Sequence, residues 1–405
     1  MSDTAVKTQM QYRRFGRTEI SMPVLSCGGM RYQNAWTDQE WSEIPDAGQA
    51  NLEATVHRAL ELGINHIETA RGYGTSEMQL SRILPQLPRD QIVVQTKVRP
   101  MPTPDEFRRV VEESMNYLKL DYVDLLALHG INNGAFHDRA FLKGSFQALQ
   151  EYKEQGLCRH IGFSTHANLD VILRTIADGD FDYINLHWYY IFQHNWPAIE
   201  AARAKDMGVF IISPSNKGGM LYEPSDVMRR LCEPLHPMIF NDLFCLNHLQ
   251  VHTISVGAAR PSDFDEHLEA VSMLDQAVEL VAPIRQRLDE RMKKTLGTDW
   301  LENWSHGLAG PVHNINDINV FILLWLRNLI IAFDMTVYGK NRYAWFGDGG
   351  DWFGGKPIES EQEIRDLNLE KLLSDHPFAE QLTEKVIEAW HLLRPGPREQ
   401  AQRIH

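Results

Sequence analysis

Apolar, β-rich segments alternate with helical segments eight times along the chain, and this alternation constrains the fold more than any other feature. Several of these segments are continuous apolar runs, as expected for strands buried on both faces of a parallel sheet. The predicted strands lie at residues 23–30, 66–70, 92–98, 122–129, 160–165, 182–188, 209–215 and 253–258. Eight strand–helix units within about 250 residues are typical of an α/β fold of the (β/α)8 barrel type.

The segments that flank this repeat suggest two additions to the barrel. Residues 10–22 have the pattern of a β-hairpin that closes the bottom of the barrel. The chain after about residue 280 is helical and rich in aromatic residues. Its most apolar run, 319–333, is interrupted by Arg327 and Asn328 and is too short to span a bilayer, so it predicts a buried helix. We therefore expect a barrel domain at 1–280 and a C-terminal extension at 281–405.

Charge and cysteine content exclude several classes of function. The 405 residues carry a net charge of −14, whereas binding to nucleic acid or to an anionic membrane requires a basic surface. The four cysteines lack the paired spacing of metal sites, which favours a reducing compartment. Because the N-terminus has no apolar signal segment, we expect a cytoplasmic protein.

Polar residues occur where the predicted strands end, which is where (β/α)8 barrels carry their active sites. Each could have a simpler role, such as capping a backbone amide or reaching solvent, but together they converge on one face. They are Glu68, Tyr73, Lys97, His129, Ser164, Thr165, Asn185, His187, Ser213 and Lys217.

Four of these residues make up a coherent set for acid–base chemistry. Tyr73 would be the general acid, and a nearby Lys97 ammonium would lower the pKa of its phenol. Glu68 would keep Lys97 charged, and His129 would orient a substrate oxygen. A phenol tuned in this way, without a nucleophile or a metal, suits carbonyl reduction. The hydride must then come from a bound cofactor, because side chains cannot supply it.

The same segments resemble the motifs of the aldo-keto reductases. "ETARGYGTSE" is similar to the family's Asp-Thr-Ala-x-x-Tyr-Gly-x-Ser-Glu, "VVQTKV" to its lysine strand and "LLALHG" to its histidine strand. The resemblance extends from about residue 10 to 275 and departs from the family pattern at Glu68, where the family has aspartate. The long tail resembles that of a branch of predicted oxidoreductases, some of which carry ferredoxin-like cysteines. No cysteine follows Cys245 here, so a cluster in the tail is excluded.

The resemblance implies NADPH as cofactor, with NADH left open. Arg260 is the cation expected at a 2′-phosphate, although Asp263 nearby would repel that group. The implied cofactor residues are Gly28, Gly29 and Met30 beside the nicotinamide, together with Glu68, Ser164, Thr165 and Asn185, then Ser213, Ser215 and Lys217 at the pyrophosphate, and Gly257, Arg260, Glu266 and His267 at the adenosine.

Three further patterns allow more than one interpretation. His248 and His252 have the i, i+4 spacing of a helical zinc site, but no third ligand is evident and a structural role is favoured. The aromatic residues of 186–196 either wall a substrate pocket or pack against the extension. The Gly- and aromatic-rich segment 345–355 reads as an ordered loop that could cover the barrel mouth.

Two alternatives to a carbonyl reductase remain open from the sequence. The barrel could be a nicotinamide-binding regulatory or redox-sensing module with little turnover, and the extension would then contact a partner protein. A metal-assisted hydrolase is disfavoured because the strand ends carry too few clustered metal ligands. We expect a small-molecule carbonyl substrate, and the sequence leaves its identity and the oligomeric state open.

Overall fold

A computed structural model describes residues 9–347 and 354–395 of the chain. The chain divides into two compact units. The first consists of Met1–Gly218 and Met238–Val281, and the second of Gly219–Pro237 and Ala282–His405. The sequence alone assigned residues 219–237 to the barrel domain, whereas the structure groups them with the extension.

The first unit is a closed barrel of eight parallel strands, as predicted. A two-stranded antiparallel hairpin, β1 (Tyr12–Arg14) and β2 (Ser21–Pro23), precedes the barrel. The order of the barrel strands follows the chain, and the last strand pairs with the first to close the sheet. The barrel strands are β3 (Leu25–Gly28), β4 (His66–Glu68), β5 (Val93–Val98), β6 (Val123–Leu128), β7 (Cys158–Ser164), β8 (Tyr183–Leu186), β9 (Gly208–Ile211) and β10 (Thr253–Val256).

Phe15 and Met22, from the hairpin segment, pack into the barrel core against Val93, Leu125 and Phe210. Phe15 and Met22 are both fully buried. The hairpin segment thus covers the amino ends of the strands, as its position in the sequence predicted. The carboxyl ends remain available for the polar residues that follow the strands.

Helices separate the strands of the first unit. Thr103 caps one of them, since its hydroxyl accepts from the Glu106 amide while the Glu106 carboxylate accepts from the Thr103 amide. These helices are α1 (Asp46–Glu61), α2 (Ser76–Leu80), α3 (Pro104–Leu118), α4 (Gly134–Phe141), α5 (Ser145–Glu154), α6 (Leu169–Asp178) and α7 (Trp196–Ala204).

The remaining helices belong to the later part of the chain. They are α8 (Asp226–Cys232), α9 (Pro237–Leu246), α10 (Asp265–Ser272), α11 (Ala277–Leu296), α12 (Thr298–Asn303), α13 (Val320–Phe333), α14 (Thr336–Tyr343), α15 (Glu361–Asp366), α16 (Leu369–Leu372) and α17 (Ala379–Leu393).

Two local sequence patterns do not form the elements that they suggest. Residues 76–87 do not form one continuous helix, because α2 ends at Leu80 and Pro85, which lacks an amide hydrogen, lies in the short helical turn that follows. His248 and His252 do not share a helix, since α9 ends at Leu246. The His248 Nδ1 contacts the Phe244 carbonyl, and the His252 Nδ1 accepts from the Val209 amide. The described residues contain no group of three or more metal-ligating side chains.

Helix α13 in the second unit is almost entirely buried, as its apolar run predicted. The two polar residues that interrupt the run have partners. Arg327 donates to Glu388 at 2.6 Å, and Trp300 donates to the Asn328 side chain at 2.9 Å. Within 9–347 and 354–395, no helix is both long and apolar enough to cross a membrane. Six residues of the predicted loop at 345–355 lie outside the described residues.

Candidate active site

Three adjacent strands bring Glu68, Lys97 and His129 to the mouth of the barrel. Glu68 and Lys97 are the last inward-facing residues of β4 and β5, and His129 directly follows β6, where its amide donates to the Val98 carbonyl at 2.7 Å. Glu68 is 3% exposed and Lys97 is 1% exposed. Two charged groups buried to this extent require each other, because an isolated buried charge is costly.

Tyr73 joins this cluster from the Gly-rich turn after β4. Gly74 has a φ of +53°, and a side chain there would overlap the Ala35 carbonyl, so the turn requires glycine. The ring of Tyr73 meets the His129 ring edge-on, with centroids 5.6 Å apart. The Lys97 Nζ lies 4.7 Å from the centroid of the Tyr73 ring. The structure therefore brings all four predicted catalytic residues together.

One carboxylate oxygen of Glu68 serves both neighbours. The Lys97 Nζ donates to Glu68 Oε1 and, at 2.6 Å, to the Thr69 carbonyl. The Tyr73 hydroxyl donates to the same Glu68 oxygen at 3.4 Å. Glu68 Oε1 therefore contacts both Lys97 and Tyr73.

This arrangement changes the expected electrostatics of Tyr73. Burial, followed by the charge and the hydrogen bond of Glu68, raises the pKa of the Tyr73 phenol well above its usual range. Burial also lowers the pKa of Lys97, while the charge of Glu68 opposes that effect. The pKa of the phenol is thus raised mainly by burial, and the lowering of that pKa by Lys97 stays a prediction.

His129 is neutral in this environment. Burial, followed by the charges of Lys97 and Arg99, lowers the pKa of His129 well below its usual range. Its Nδ1 atom is buried and has no hydrogen-bond partner among the described residues. A neutral imidazole can hydrogen-bond a carbonyl oxygen without introducing a competing charge.

A buried amide lies beside these residues, on β8. Asn185 pairs in register with Ser164 on β7 and is fully buried. Neither its amide nitrogen nor its amide oxygen has a partner in the described part of the chain. The Ser164 hydroxyl accepts from the Gly130 amide at 3.0 Å, and the Thr165 hydroxyl donates to the Ile131 carbonyl at 2.8 Å. An orphaned donor and acceptor on one side chain match a ligand that carries a carboxamide.

Gly28 and Gly29 pack closely against neighbouring protein atoms at the end of β3. A Cβ atom on Gly28 would lie 2.5 Å from Ser255 Oγ, and one on Gly29 would lie 2.6 Å from the Glu68 carbonyl. Met30, the next residue, is half-buried. The packing of the strand end therefore requires glycine at both positions, and their contact with the nicotinamide stays a prediction.

The loop after β9 contains the residues predicted for the pyrophosphate. Ser213 has a φ of +53°, which turns the chain directly after the strand. The Ser215 hydroxyl is buried without a partner in the described ranges, and Lys217 is half-buried. A cation and an unpaired hydroxyl on one turn are suited to an anionic group.

The residues that were predicted to contact the adenosine lie in two different environments. Gly257 and Glu266 are half-buried, and Arg260, 72% exposed at its side chain, pairs with Asp263 at 3.0 Å. His267 is only 3% exposed and pairs with buried Asp242. His267 faces inward because it lies on the buried face of α10, so the structure does not bring it to the predicted site.

The aromatic residues after β8 are buried. Trp188, Tyr189, Tyr190 and Phe192 are at most 5% exposed. The Trp188 ring stacks on Phe244 of α9 with centroids 5.0 Å apart. Trp188 therefore packs within the first unit, and a role of these rings in a substrate pocket stays a prediction.

Comparison with known proteins defines the class of this site. The model of the aldo/keto reductase family matches residues 24–275. The chain belongs to this family and is an NAD(P)H-dependent oxidoreductase.

Two curated relatives are named as sugar dehydrogenases. L-galactose dehydrogenase of Arabidopsis thaliana is 33% identical over 220 residues, which are 51% of this chain and 66% of the relative. D-threo-aldose 1-dehydrogenase of a Pseudomonas species is 26% identical over 315 residues, which are 63% of this chain and 91% of the relative.

Solved structures share the fold. An aldo-keto reductase of Bacillus halodurans is 22% identical and has a TM-score of 0.54, over 69% of this chain and 96% of its own. An aldo-keto reductase of Klebsiella pneumoniae, solved with NADPH, is 17% identical and has a TM-score of 0.54, over 67% of this chain and 94% of its own. At this level of identity, the similarity to these structures establishes only the fold.

Proposed function

We propose that the protein reduces an aldehyde or ketone to an alcohol with NADPH, and that Tyr73 is the general acid. The carrying observation is the cluster at the barrel mouth, in which the Tyr73 hydroxyl, the Lys97 ammonium and the Glu68 carboxylate lie beside a neutral His129. This cluster contains a proton donor and a carbonyl-orienting group, and the described residues offer no group of metal ligands in its place.

The residues at the strand ends fit a nicotinamide cofactor. Asn185 has an unpaired amide suited to the carboxamide, and Ser215 and Lys217 suit the pyrophosphate. When bound, NADPH supplies the hydride that no side chain can provide.

The chain itself supplies the proton and the orientation of the substrate. His129 hydrogen-bonds the carbonyl oxygen and holds it near the Tyr73 hydroxyl. Tyr73 transfers its proton to that oxygen as negative charge develops there, which completes the alcohol. The phenolate that remains is stabilised by Lys97, whose ammonium lies against the ring. The high pKa of the phenol keeps Tyr73 protonated between turnovers.

A second candidate is the reverse reaction, oxidation of the C1 hydroxyl of an aldose. In this direction the Glu68 carboxylate, which contacts the Tyr73 hydroxyl, would have to take up the phenolic proton. The names of the two curated relatives point in the same direction. Rates with NADP⁺ and an aldose, compared with NADPH and an aldehyde, separate the two candidates.

The preference for NADPH over NADH depends on Arg260. Its guanidinium is exposed and would be available to a 2′-phosphate, but Asp263 pairs with it at 3.0 Å and adds a repulsive charge. We therefore propose NADPH as the cofactor that the protein uses, with NADH as a competitor to be measured in parallel. The four cysteines are free thiols, which supports a reducing location such as the cytoplasm.

The test is turnover of NADPH with 4-nitrobenzaldehyde, followed by loss of the absorbance of the reduced nicotinamide, with cofactor binding titrated by fluorescence. Tyr73→Phe should lower kcat at least about 100-fold and leave the Kd for NADPH unchanged. Tyr12→Phe is the matched control, because that hydroxyl bonds the Gly63 carbonyl at the hairpin.

Each remaining outcome of this experiment has a defined meaning. Equal turnover by Tyr73→Phe and the parent would refute the assignment of the acid. Tight NADPH binding without turnover on a panel of carbonyls would favour the regulatory module instead.

A further inference from the structure

Three polar residues lie inside the barrel, one layer below the candidate active site. They are His66 on β4, Gln95 on β5 and Tyr183 on β8, and all three are fully buried. Two positions further along the same three strands are the site residues Glu68, Lys97 and Asn185. Residues two apart on a strand point to the same face, so the three lower side chains point into the barrel as the site residues do. We call His66, Gln95 and Tyr183 the polar layer.

Each residue of the polar layer carries at least one polar atom without a hydrogen-bond partner in the described ranges. For His66 this atom is Nε2, and for Tyr183 it is the hydroxyl oxygen. Both the nitrogen and the oxygen of the Gln95 amide are without a partner. Buried polar groups in native proteins are nearly always hydrogen-bonded, because leaving them unpaired is costly. These four atoms therefore require a partner.

Packing fixes the two rings of the polar layer. The His66 Nδ1 lies 2.7 Å from Ser26 Oγ, which directs Nε2 away from Ser26. The His66 ring meets the Phe210 ring edge-on with centroids 5.4 Å apart, and Tyr183 belongs to the same core cluster as Phe210. A Cβ atom on Gly162 would lie 2.5 Å from the Tyr183 ring, so this ring lies directly against the backbone of β7. The unpaired atoms do not bond one another, so a bridging molecule has to lie between them.

The polar layer is uncharged, which narrows the chemistry of the bridging molecule. Burial, followed by the charge of Lys97, lowers the pKa of His66 to about 3, and Gln95 opposes this shift. Burial above all raises the pKa of the Tyr183 phenol well above its usual range. A neutral imidazole, a phenol and an amide offer donors and acceptors but no charge to balance an ion. The bridging molecule is therefore neutral and able both to donate and to accept.

The position of the polar layer also limits the size of that molecule. Phe15 and Met22 of the hairpin segment are fully buried and belong to the same core cluster as Tyr183, at the amino ends of the strands. Glu68 and Lys97 lie above the layer, at the mouth. Water is small and neutral, and typically makes about three hydrogen bonds when it is buried in a protein.

We propose that the polar layer binds ordered water inside the barrel, and that this water also holds the Asn185 amide from below. An amide side chain has two N–H donors and an oxygen with two lone pairs. A single carboxamide above Asn185 uses one donor and one acceptor, and water in the polar layer satisfies the remainder. The orientation of the amide is thereby fixed before a cofactor binds. Gln95 and Tyr183 are positioning residues in this arrangement.

A crystal structure of the cofactor-free protein, at a resolution that shows ordered water, tests the site directly. We expect water within hydrogen-bonding distance of the Tyr183 hydroxyl and of Gln95 or His66. Direct hydrogen bonds among these side chains, or the absence of such water, would overturn the proposal. This result does not depend on any activity of the protein.

The melting temperature of Tyr183→Phe gives a second test, because the sign of its change is diagnostic. Loss of a hydroxyl that binds water should lower Tm by about 2 °C, whereas loss of a buried hydroxyl without any partner should raise it. Tyr152→Phe is the matched control, since the Tyr152 hydroxyl donates to the Arg108 carbonyl at 3.1 Å and its removal should lower Tm similarly. A higher Tm for Tyr183→Phe than for the parent would overturn the proposal.

The support of Asn185 is tested by cofactor binding, and this step alone rests on the proposed function. The Kd for NADPH should rise at least about threefold in Tyr183→Phe and in Gln95→Leu, and should stay unchanged in Tyr152→Phe. An unchanged Kd in both of the first two variants would overturn the support of Asn185 by water. A parent that binds NADPH but reduces no carbonyl would contradict only the proposed reaction, because neither the crystal structure nor the Kd requires turnover.

Discussion

Shortening Glu68 to aspartate tests how the carboxylate controls the acid. In the structure, the Tyr73 hydroxyl donates to Glu68 Oε1 at 3.4 Å, and this contact contributes to the raised pKa of the phenol. Glu68→Asp keeps the negative charge for Lys97 and withdraws the carboxylate by one carbon–carbon bond, about 1.5 Å. We expect the pKa of Tyr73 to fall.

The size of the change follows from Coulomb's law. With an effective dielectric constant of about 20, a charge at 3.4 Å acts on the developing phenolate with about 4.9 kcal/mol, and at about 4.9 Å with about 3.4 kcal/mol. The difference, about 1.5 kcal/mol, corresponds to about one pKa unit. The phenol donates a proton only below its pKa, so a lower pKa means that reduction is lost at a lower pH.

The assay is the pH profile of kcat for aldehyde reduction at saturating NADPH. The alkaline limb of Glu68→Asp should lie about one pH unit below that of the parent. Glu77→Asp is the control, because Glu77 is equally buried but bonds Thr96 and Ser114 instead of Tyr73. The alkaline limb of the pH profile of Glu77→Asp should lie at the same pH as that of the parent, even if the variant is less stable. An alkaline limb in Glu68→Asp within a few tenths of a unit of the parent would refute the reasoning.

Three further changes test the cofactor site and the fold. Asn185→Ala removes the orphaned amide and should raise the Kd for NADPH about tenfold by fluorescence titration, and an unchanged Kd would exclude the carboxamide contact. Asp263→Ala releases Arg260 and removes a repulsive charge, so the ratio of the NADH Kd to the NADPH Kd should rise about fivefold, whereas a fall would place the phosphate elsewhere. The buried Asp242 carboxylate raises the pKa of His267, so the free energy of unfolding, measured with urea, should decline as pH rises above about 6.5, and His267→Gln should abolish the decline.

The barrel could be predicted because each of its strands has a recognisable local sequence pattern. Each buried parallel strand is a short apolar run, and the helices between them repeat at a nearly constant interval. The missed details depend on single residues or on tertiary contacts. Helix α2 ends at Leu80, before Pro85, and α4 and α9 were not identified from the sequence. The placement of residues 219–237 with the second unit depends on packing that no local pattern records.

The convergence of Glu68, Lys97 and His129 was also predictable, since these residues lie at the ends of three adjacent strands. The raised pKa of Tyr73 was not, because it depends first on the burial of the phenol and then on the charge and hydrogen bond of Glu68. The burial of His267 was missed for a similar reason. A difference of one or two positions along a helix decides whether a side chain faces the protein core or the solvent. The residues of the polar layer each precede a site residue by two positions on a strand, and that spacing was the available signal.

The contact that the sequence could not predict also bears on the direction of catalysis. A phenol held well above its usual pKa retains its proton at neutral pH, which is the state that reduction needs at the start of each turnover. Oxidation requires the opposite state, and Glu68 opposes the formation of a phenolate next to its own charge. Lys97 offsets that repulsion only where its ammonium remains charged, and burial acts against this. The cluster therefore keeps Tyr73 in the protonated form that reduction needs, and we propose that oxidation requires transfer of this proton to Glu68.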